Sequence, residues 1–205
     1  MLAHKPGVLA AVGDMPPRPP NFCAGCPERP VFAAIKLAQR DIGPTHISAD
    51  IGCHSFATFA PFSLGNSILG YGMSLASAAA VAPNMAKRPI AVMGGGGFWH
   101  NGLITGVGLE CVQQRRRRSH RHAERLRVRD QPAISAFEQR QPLRHADRDQ
   151  HRENAALTRV HWPRTVRTYS VGKMAATLKE AMRTAEKGLK VIIADGECVL
   201  ARQRW

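Results

Sequence analysis

Apolar and polar positions fall along this chain in blocks that read as strands and helices, with one exception. Residues 46–51 (His-Ile-Ser-Ala-Asp-Ile) form a short strand-like run that ends at Gly52-Cys53. Residues 89–93 and 189–194 are short, mainly apolar runs, the pattern of strands covered on both faces. Helical patterns fall at 31–39, 68–81 and 177–186. The second is rich in small residues (Gly70, Gly72, Ser74, Ala76, Ser77, Ala78), which suits a helix packed closely on a sheet. The third is closed by Lys187-Gly188. Residues 63–66 are turn-like. Strands alternating with helices predict an α/β fold: a parallel sheet flanked by helices, with its sites at the carboxyl ends of the strands.

Residues 108–152 break the pattern. They hold 12 of the 22 arginines and none of the 7 lysines. Their apolar residues follow neither a period of 2 nor one of 3.6, so an irregular, Arg-rich middle segment is expected there. The chain therefore divides into a Pro-rich linker (1–21), an N-terminal part of one domain (22–107), the aberrant segment (108–152) and a C-terminal part of the same domain (153–205). The linker ends in Met15-Pro-Pro-Arg-Pro-Pro20, a stiff extended stretch.

Charge changes this picture little. The net charge of +14 raises nucleic acid as a partner. However, 108–152 supplies +6 of it, and no aromatic residues interleave with Arg115–Arg118 to stack bases. A basic RNA-binding protein is one alternative function, and a steep salt dependence would mark it. No segment approaches the ~20 apolar residues of a membrane span. The start lacks the apolar core of a signal peptide, so a cytoplasmic, reducing location is expected. There, five cysteines suit metal ligands or free thiols better than disulfides.

Four of those cysteines sit at element ends: Cys23 and Cys26 as C-x-x-C, Cys53 after a strand, and Cys198 after the last strand. In an open α/β sheet such loops can converge, and four thiolates suit an iron–sulfur cluster or zinc. Unrelated buried thiols are the plainer reading. A non-catalytic iron–sulfur or zinc module built on these four is a second alternative function. The four glycines Gly94, Gly95, Gly96 and Gly97 follow a strand and precede a helix, where backbone amides can meet a phosphate. A tight strand-to-helix turn would look the same. His54 and His100 adjoin this region and are candidates for substrate or cofactor contact, or for a structural role. Trp99 is expected in the core.

Several motifs occur together and in order: Arg18-Pro-Pro-x-Phe-Cys-x-Gly-Cys-Pro27, Asp50-Ile-Gly-Cys-His54, Gly70-Tyr-Gly-Met-Ser74, Val92-Met-Gly-Gly-Gly-Gly-Phe-Trp-His-Asn-Gly102 and Gly196-Glu-Cys-Val-Leu-Ala-Arg-Gln-Arg204. Over residues 18–107 and about 153–205 the chain resembles the thiamine-diphosphate-binding domain of indolepyruvate ferredoxin oxidoreductase, of the 2-oxoacid:ferredoxin oxidoreductase group. The resemblance implies oxidative decarboxylation of arylpyruvates. The thiamine diphosphate ylid attacks the 2-keto carbon, coenzyme A takes the acyl group, and electrons pass to ferredoxin. It also implies that Asp50, Ile51, Gly52, Gly72, Met73 and Ser74 wall the cofactor while Gly94, Gly95, Gly96 and Gly97 meet its diphosphate and Mg²⁺. Cys23, Cys26, Cys53 and Cys198 would then hold a [4Fe–4S] cluster, their sulfurs gathered at one edge of the sheet with Cys111 apart. Pyrimidine-binding and ferredoxin-like domains or subunits would complete the enzyme.

The chain departs from that family at the metal. Position 95 is Gly95 where the resemblance calls for Asp, and no Asn occurs between Asn101 and Asn154 to serve as the second side-chain ligand. Mg²⁺ prefers near-octahedral hard oxygens, and an amide N–H cannot substitute for one. The aberrant segment accounts for the loss. Read one base later, codons for Gln113–Arg118 can encode Asn-Asn-Gly-Asp-Gly, and those for Glu124–Arg127 can encode Asn-Gly-Tyr-Ala, residues the family carries. A frame change near Gly108, reversed near Arg152 or Glu153, is the expectation, with a genuine Arg-rich insertion as the alternative. On this reading the chain is an incomplete thiamine-diphosphate-binding fold and inactive as written.

Overall fold

The computed structural model describes residues 19–108, 133–139, 160, 162–186 and 188–202. The Pro-rich linker apart from its last residues, most of the aberrant segment, Cys111 and Arg115–Arg118 lie outside the described residues, and with them the expectations made there.

The chain enters at Phe22, which is buried in an aromatic cluster with Phe32, Phe56 and Phe62 at centroid distances of 5.6, 6.1 and 5.6 Å. The first helix, α1 (Glu28–Ile42), follows at once. Glu28 in its first turn suits the positive end of the helix dipole, and Pro30 is tolerated there because first-turn N–H groups have no partner within the helix. Val31, Phe32, Ala34, Ile35 and Ala38 recur at helical spacing and are all buried. Burying the larger of them contributes about 1.5–3 kcal/mol each. The Gly43 N–H closes the helix on Gln39 O.

Six strands follow, all paired in parallel: β1 (Ile47–Ala49), β2 (Ser67–Ile68), β3 (Ile90–Gly94), β4 (Ala133–Gln139), β5 (Trp162–Arg167) and β6 (Lys190–Gly196). Their order across the sheet is β2-β1-β3-β4-β6-β5. The two apolar runs at 89–93 and 189–194 are thus buried strands of one parallel sheet, as the sequence predicts. Both sheet faces are covered. Ile90 and Val92 of β3 and Ile192 and Ala194 of β6 join α1 and the helix α4 (Val171–Arg183) in one core. Ala91, Met93 and Val191 face a second core with Leu75 and Ala78 of α2 (Ser74–Val81).

Three sequence expectations are corrected. The helix expected at 68–81 begins only at Ser74, because Gly70–Gly72 makes a turn after the short β2. The helix expected at 177–186 runs from Val171 to Arg183, with Gly172 disguising its first turn. And the irregular segment contains β4, paired with β3 from Ala133 to Phe137 and with β6 along its whole length. A central parallel strand needs no alternation. The backbones of β3 and β6 satisfy both of its edges.

Beyond β3 the chain turns directly into a helix at Gly95–Gly97 and continues as a π-helical stretch, Phe98–Gly108, here called α3. A short helix, α5 (Val199–Arg202), follows β6. No described helix is long and apolar enough to cross a membrane.

Candidate functional site

Three of the singled-out motifs meet at the carboxyl ends of β1 and β3. Asp50, the residue after β1, is fully buried. Both of its carboxylate oxygens accept from Gly72 N–H, at 2.7 and 2.8 Å, and Oδ1 also accepts from Ile51 N–H at 2.9 Å. Its own N–H donates to Val92 O of β3 at 2.9 Å. Asp50 therefore ties the turn at Gly70–Gly72 to the sheet. The glycine loop closes the third side. A Cβ at Gly97 would collide with Asp50 Oδ2 and lie 3.2 Å from Gly72 N. Gly72 has φ +78° and no room for a side chain, since its Cβ would strike Asn101 Oδ1 and fall 2.7 Å from Gly97 O. Both positions need glycine for contact, and Gly72 for conformation as well.

Around this junction the proposed cofactor wall is uneven. Ile51 and Gly52 are exposed, Met73 is half-buried, and Ser74 opens α2 with a buried hydroxyl that has no hydrogen-bond partner among the described residues. The Tyr71 hydroxyl sits where a Cβ on Gly96 would fall, so this ring covers the glycine loop. His100 is exposed and stacks at 5.3 Å from Tyr71. His54 instead is buried, its ring lying against Gly94 at the start of the loop, where a Cβ would stand 3.2 Å from its Cε1. Trp99, expected in the core, is 43 % exposed and stands edge-on to Phe98.

A Mg²⁺–diphosphate does not fit the residues present. Gly95 offers no oxygen on a side chain, and both Asp50 oxygens are committed to Gly72 N–H. A hard cation would lack its carboxylate.

The cysteine loops also come together. Cys26 N–H donates to Cys23 O at 3.2 Å, folding C-x-x-C into a turn. Gly25 O accepts from the Tyr169 hydroxyl at 2.8 Å, and a Cβ on Gly25 would touch Val199, the neighbour of Cys198, at 3.4 Å. Gly196 lies against Pro27. The Cys26 thiol is pushed up to about 11, chiefly by burial, with the Glu28 carboxylate and Cys53 adding to it and the N–H groups of Glu28 and Arg29 opposing. All four residues are thiols, not disulfides. Among the described residues no three Cys, His, Asp or Glu side chains are drawn into a metal cage.

Glu28 is the residue that pattern reading missed. It is 3 % exposed, and its Oε2 stands 3.9 Å from His54 Nδ1. Its place directly after Cys26-Pro27 was the available signal. A separate cleft of about 430 Å³ lies at the opposite end of the sheet, lined by Asp41, Ile42, Lys87, Arg88, Met182 and Arg183. Arg88 there donates to Ala181 O, to Thr184 O at 2.8 Å and to Glu186 O, so it closes α4.

No protein-family model matches the chain. It is 28 % identical over 105 residues to indolepyruvate oxidoreductase subunit IorA of Methanothermobacter marburgensis, covering 49 % of this chain and 17 % of that protein. It is 35 % identical over 104 residues to the IorA subunit of Thermococcus kodakarensis, covering 43 % and 16 %. The chain thus spans about a sixth of the length of these relatives. Among solved structures, 2-oxoglutarate:ferredoxin oxidoreductase from Magnetococcus marinus, with 2-oxoglutarate, coenzyme A and succinyl-CoA bound, superposes with a TM-score of 0.61. That match has 13 % identity and covers 89 % of this chain and 66 % of the other.

Proposed function

We propose, for a chain that carries a 2-oxoacid:ferredoxin oxidoreductase domain, that it derives from the thiamine-diphosphate-binding part of an indolepyruvate-type enzyme and does not itself hold the Mg²⁺–diphosphate. The observation that carries this reading is the junction of Asp50, Gly72 and Gly97, where three separate motifs close on one another and the buried carboxylate is already bonded to backbone N–H groups. The parent activity would be oxidative decarboxylation of arylpyruvates to acyl-CoA. Its partners would be ferredoxin, coenzyme A and the 2-oxoacid, together with further domains or subunits, in the cytoplasm. Cys23, Cys26, Cys53 and Cys198 would be its cluster ligands, a reading supported by the 23–27 turn packing against the Val199 segment and by Gly196 lying against Pro27. Among this chain's residues, Asp50 orients the Gly72 turn, the glycine loop presents amides, and Tyr71 shields them.

Four chains test it: the chain as written, Gly95→Asp, the chain with its frame restored over 108–152, and the two repairs combined. Titration calorimetry with thiamine diphosphate, with and without Mg²⁺, should show Mg²⁺-dependent binding only for the combination, each ligand completing the other's coordination shell. Tight, Mg²⁺-dependent binding by the chain as written would overturn the assignment of the metal position. Sequencing the gene across codons 95–160 tests the frame change directly. Brown colour and absorbance around 400 nm after anaerobic purification would report a cluster.

A further inference from the structure

One imidazole and three hydroxyls gather at the β2 side of the sheet. His46 and Ser48 lie two residues apart on an extended run, so their side chains share a face. Ser67 is the ladder partner of Ser48, and Ser77 of α2 covers both. Ser48 Oγ and Ser67 Oγ stand 2.9 Å apart, and Ser77 Oγ is 3.3 Å from the first and 3.0 Å from the second. His46 Nε2 is 3.2 Å from the Oγ of Ser48 and 3.2 Å from that of Ser67. Ser48 and Ser77 are buried, while His46 and Ser67 are half-buried. The strand these groups hold is short. β2 borders the sheet with two ladder pairs, flanked by Asn66 N–H donating to Ile47 O at 2.7 Å and Ile47 N–H donating to Asn66 Oδ1 at 2.8 Å. It leads through the exposed Leu69 into the Gly70–Gly72 turn.

Of these four side chains only the imidazole changes charge near neutral pH. With Nε2 as acceptor, one hydroxyl proton goes to the ring and two link the serines. Protonation makes Nε2 a donor, so that hydroxyl must reverse, and it places a charge where no carboxylate compensates it. β1, β2 and α2 carry no charged side chain. Asp50, just after β1, is bonded to Gly72 N–H, and Asp41, at the end of α1, is paired with Lys179. On the β3 side stand two cations: Lys87 donates to Pro44 O at 3.5 Å, and Arg88 donates to carbonyls at the end of α4. Burial alone holds the ring below its ordinary value of 6.5.

We propose that His46 is an acid-operated latch on the sheet border: its protonation releases β2, and with it the Gly70–Gly72 turn, while the rest of the sheet stays closed. An opened β2 lets the ring reach water, where it takes up a proton more readily than in the closed state. Opening is therefore held down above pH 6.5, rises as pH falls below it, and levels off under the lower folded value. One proton per opening limits the rise to about tenfold per pH unit. The latch rests on the fold and the hydroxyl cluster, and it is independent of the cofactor and cysteine readings.

Amide exchange on the full chain, at about pH 7.5 and about pH 5.5 and corrected for the intrinsic pH dependence of exchange, tests this. Protection over 67–72 should fall by up to about tenfold at the lower pH, while β6 amides keep theirs. His46→Gln, which keeps a hydrogen-bonding end in place, should abolish the pH dependence over 67–72. Its persistence there would assign the proton to another group, such as Asp50, and overturn the proposal. Equal protection at both pH values, or an equal fall in β6, overturns it too. A second readout needs no variant: NMR titration of the His46 ring protons in the parent chain should give a pKa below 6.5, and a value at or above 6.5 removes the latch.

Discussion

Replacing Asp50 by asparagine should loosen the turn after β2 while leaving the core intact. The carboxylate is fully buried and accepts three bonds from two backbone N–H groups at 2.7, 2.8 and 2.9 Å. Asparagine keeps its size but replaces one oxygen with an NH₂ that must face Gly72 N–H or Ile51 N–H, donor against donor. Hydrogen bonds to a charged acceptor contribute about 1.5–3 kcal/mol, and a buried donor left unpaired costs about 1–3 kcal/mol. A net loss of about 2 kcal/mol follows, which in a chain of this size lowers Tm by about 4–8 °C. Asp50→Ala, which strands both donors, should cost more. Thermal unfolding by circular dichroism gives the global number, and amide exchange localises it: Gly72 N–H should exchange faster while α4 amides beyond its first turn keep their order of protection. A Tm within about 1 °C of the parent, with Gly72 equally protected, would show that the carboxylate does not hold the turn.

Gly97→Ala should destabilise by about 2–4 kcal/mol, since its methyl must displace Asp50 Oδ2 and cannot move the backbone at Gly72 N; denaturant unfolding reads this directly. Phe22→Ala should cost about 3–5 kcal/mol and expose the 23–27 turn to limited proteolysis, because Phe22 packs on Phe32, Phe56 and Phe62. Burial holds the His46 imidazole below its ordinary value of 6.5, so the unfolded chain takes up the proton more readily than the folded one. The stability His46 contributes is therefore present above pH 6.5 and lost as pH falls through its lower folded value; His46→Gln should lose less Tm on acidification than the parent.

The legible parts of the fold were those where one pattern has one meaning. The runs at 89–93 and 189–194 could only be covered strands, and the motifs at 50–54, 70–74 and 94–97 do close on one another. What stayed hidden depended on partners far away in sequence. β5 reads poorly because Trp162 and Val166 are buried while Pro163, Arg164 and Thr165 between them are exposed. β4 has no signal of its own and is a strand only because β3 and β6 flank it. The burial of His54 and Glu28 could not be read from either residue, since each is buried by the other's loop.

A parallel sheet of six strands has two open sides, and each is an invitation to another chain's backbone. Here one side ends in β2, only two residues long. The other ends in β5, where Pro163 has no N–H to offer, and Arg164 lies 4.4 Å over the Trp162 ring and within 3.6 Å of Glu180. Among the described residues neither border offers a long ladder to a neighbouring molecule. What guards the described sheet against self-association therefore lies at its margins, in a two-residue border strand on one side and in a proline and a held arginine on the other.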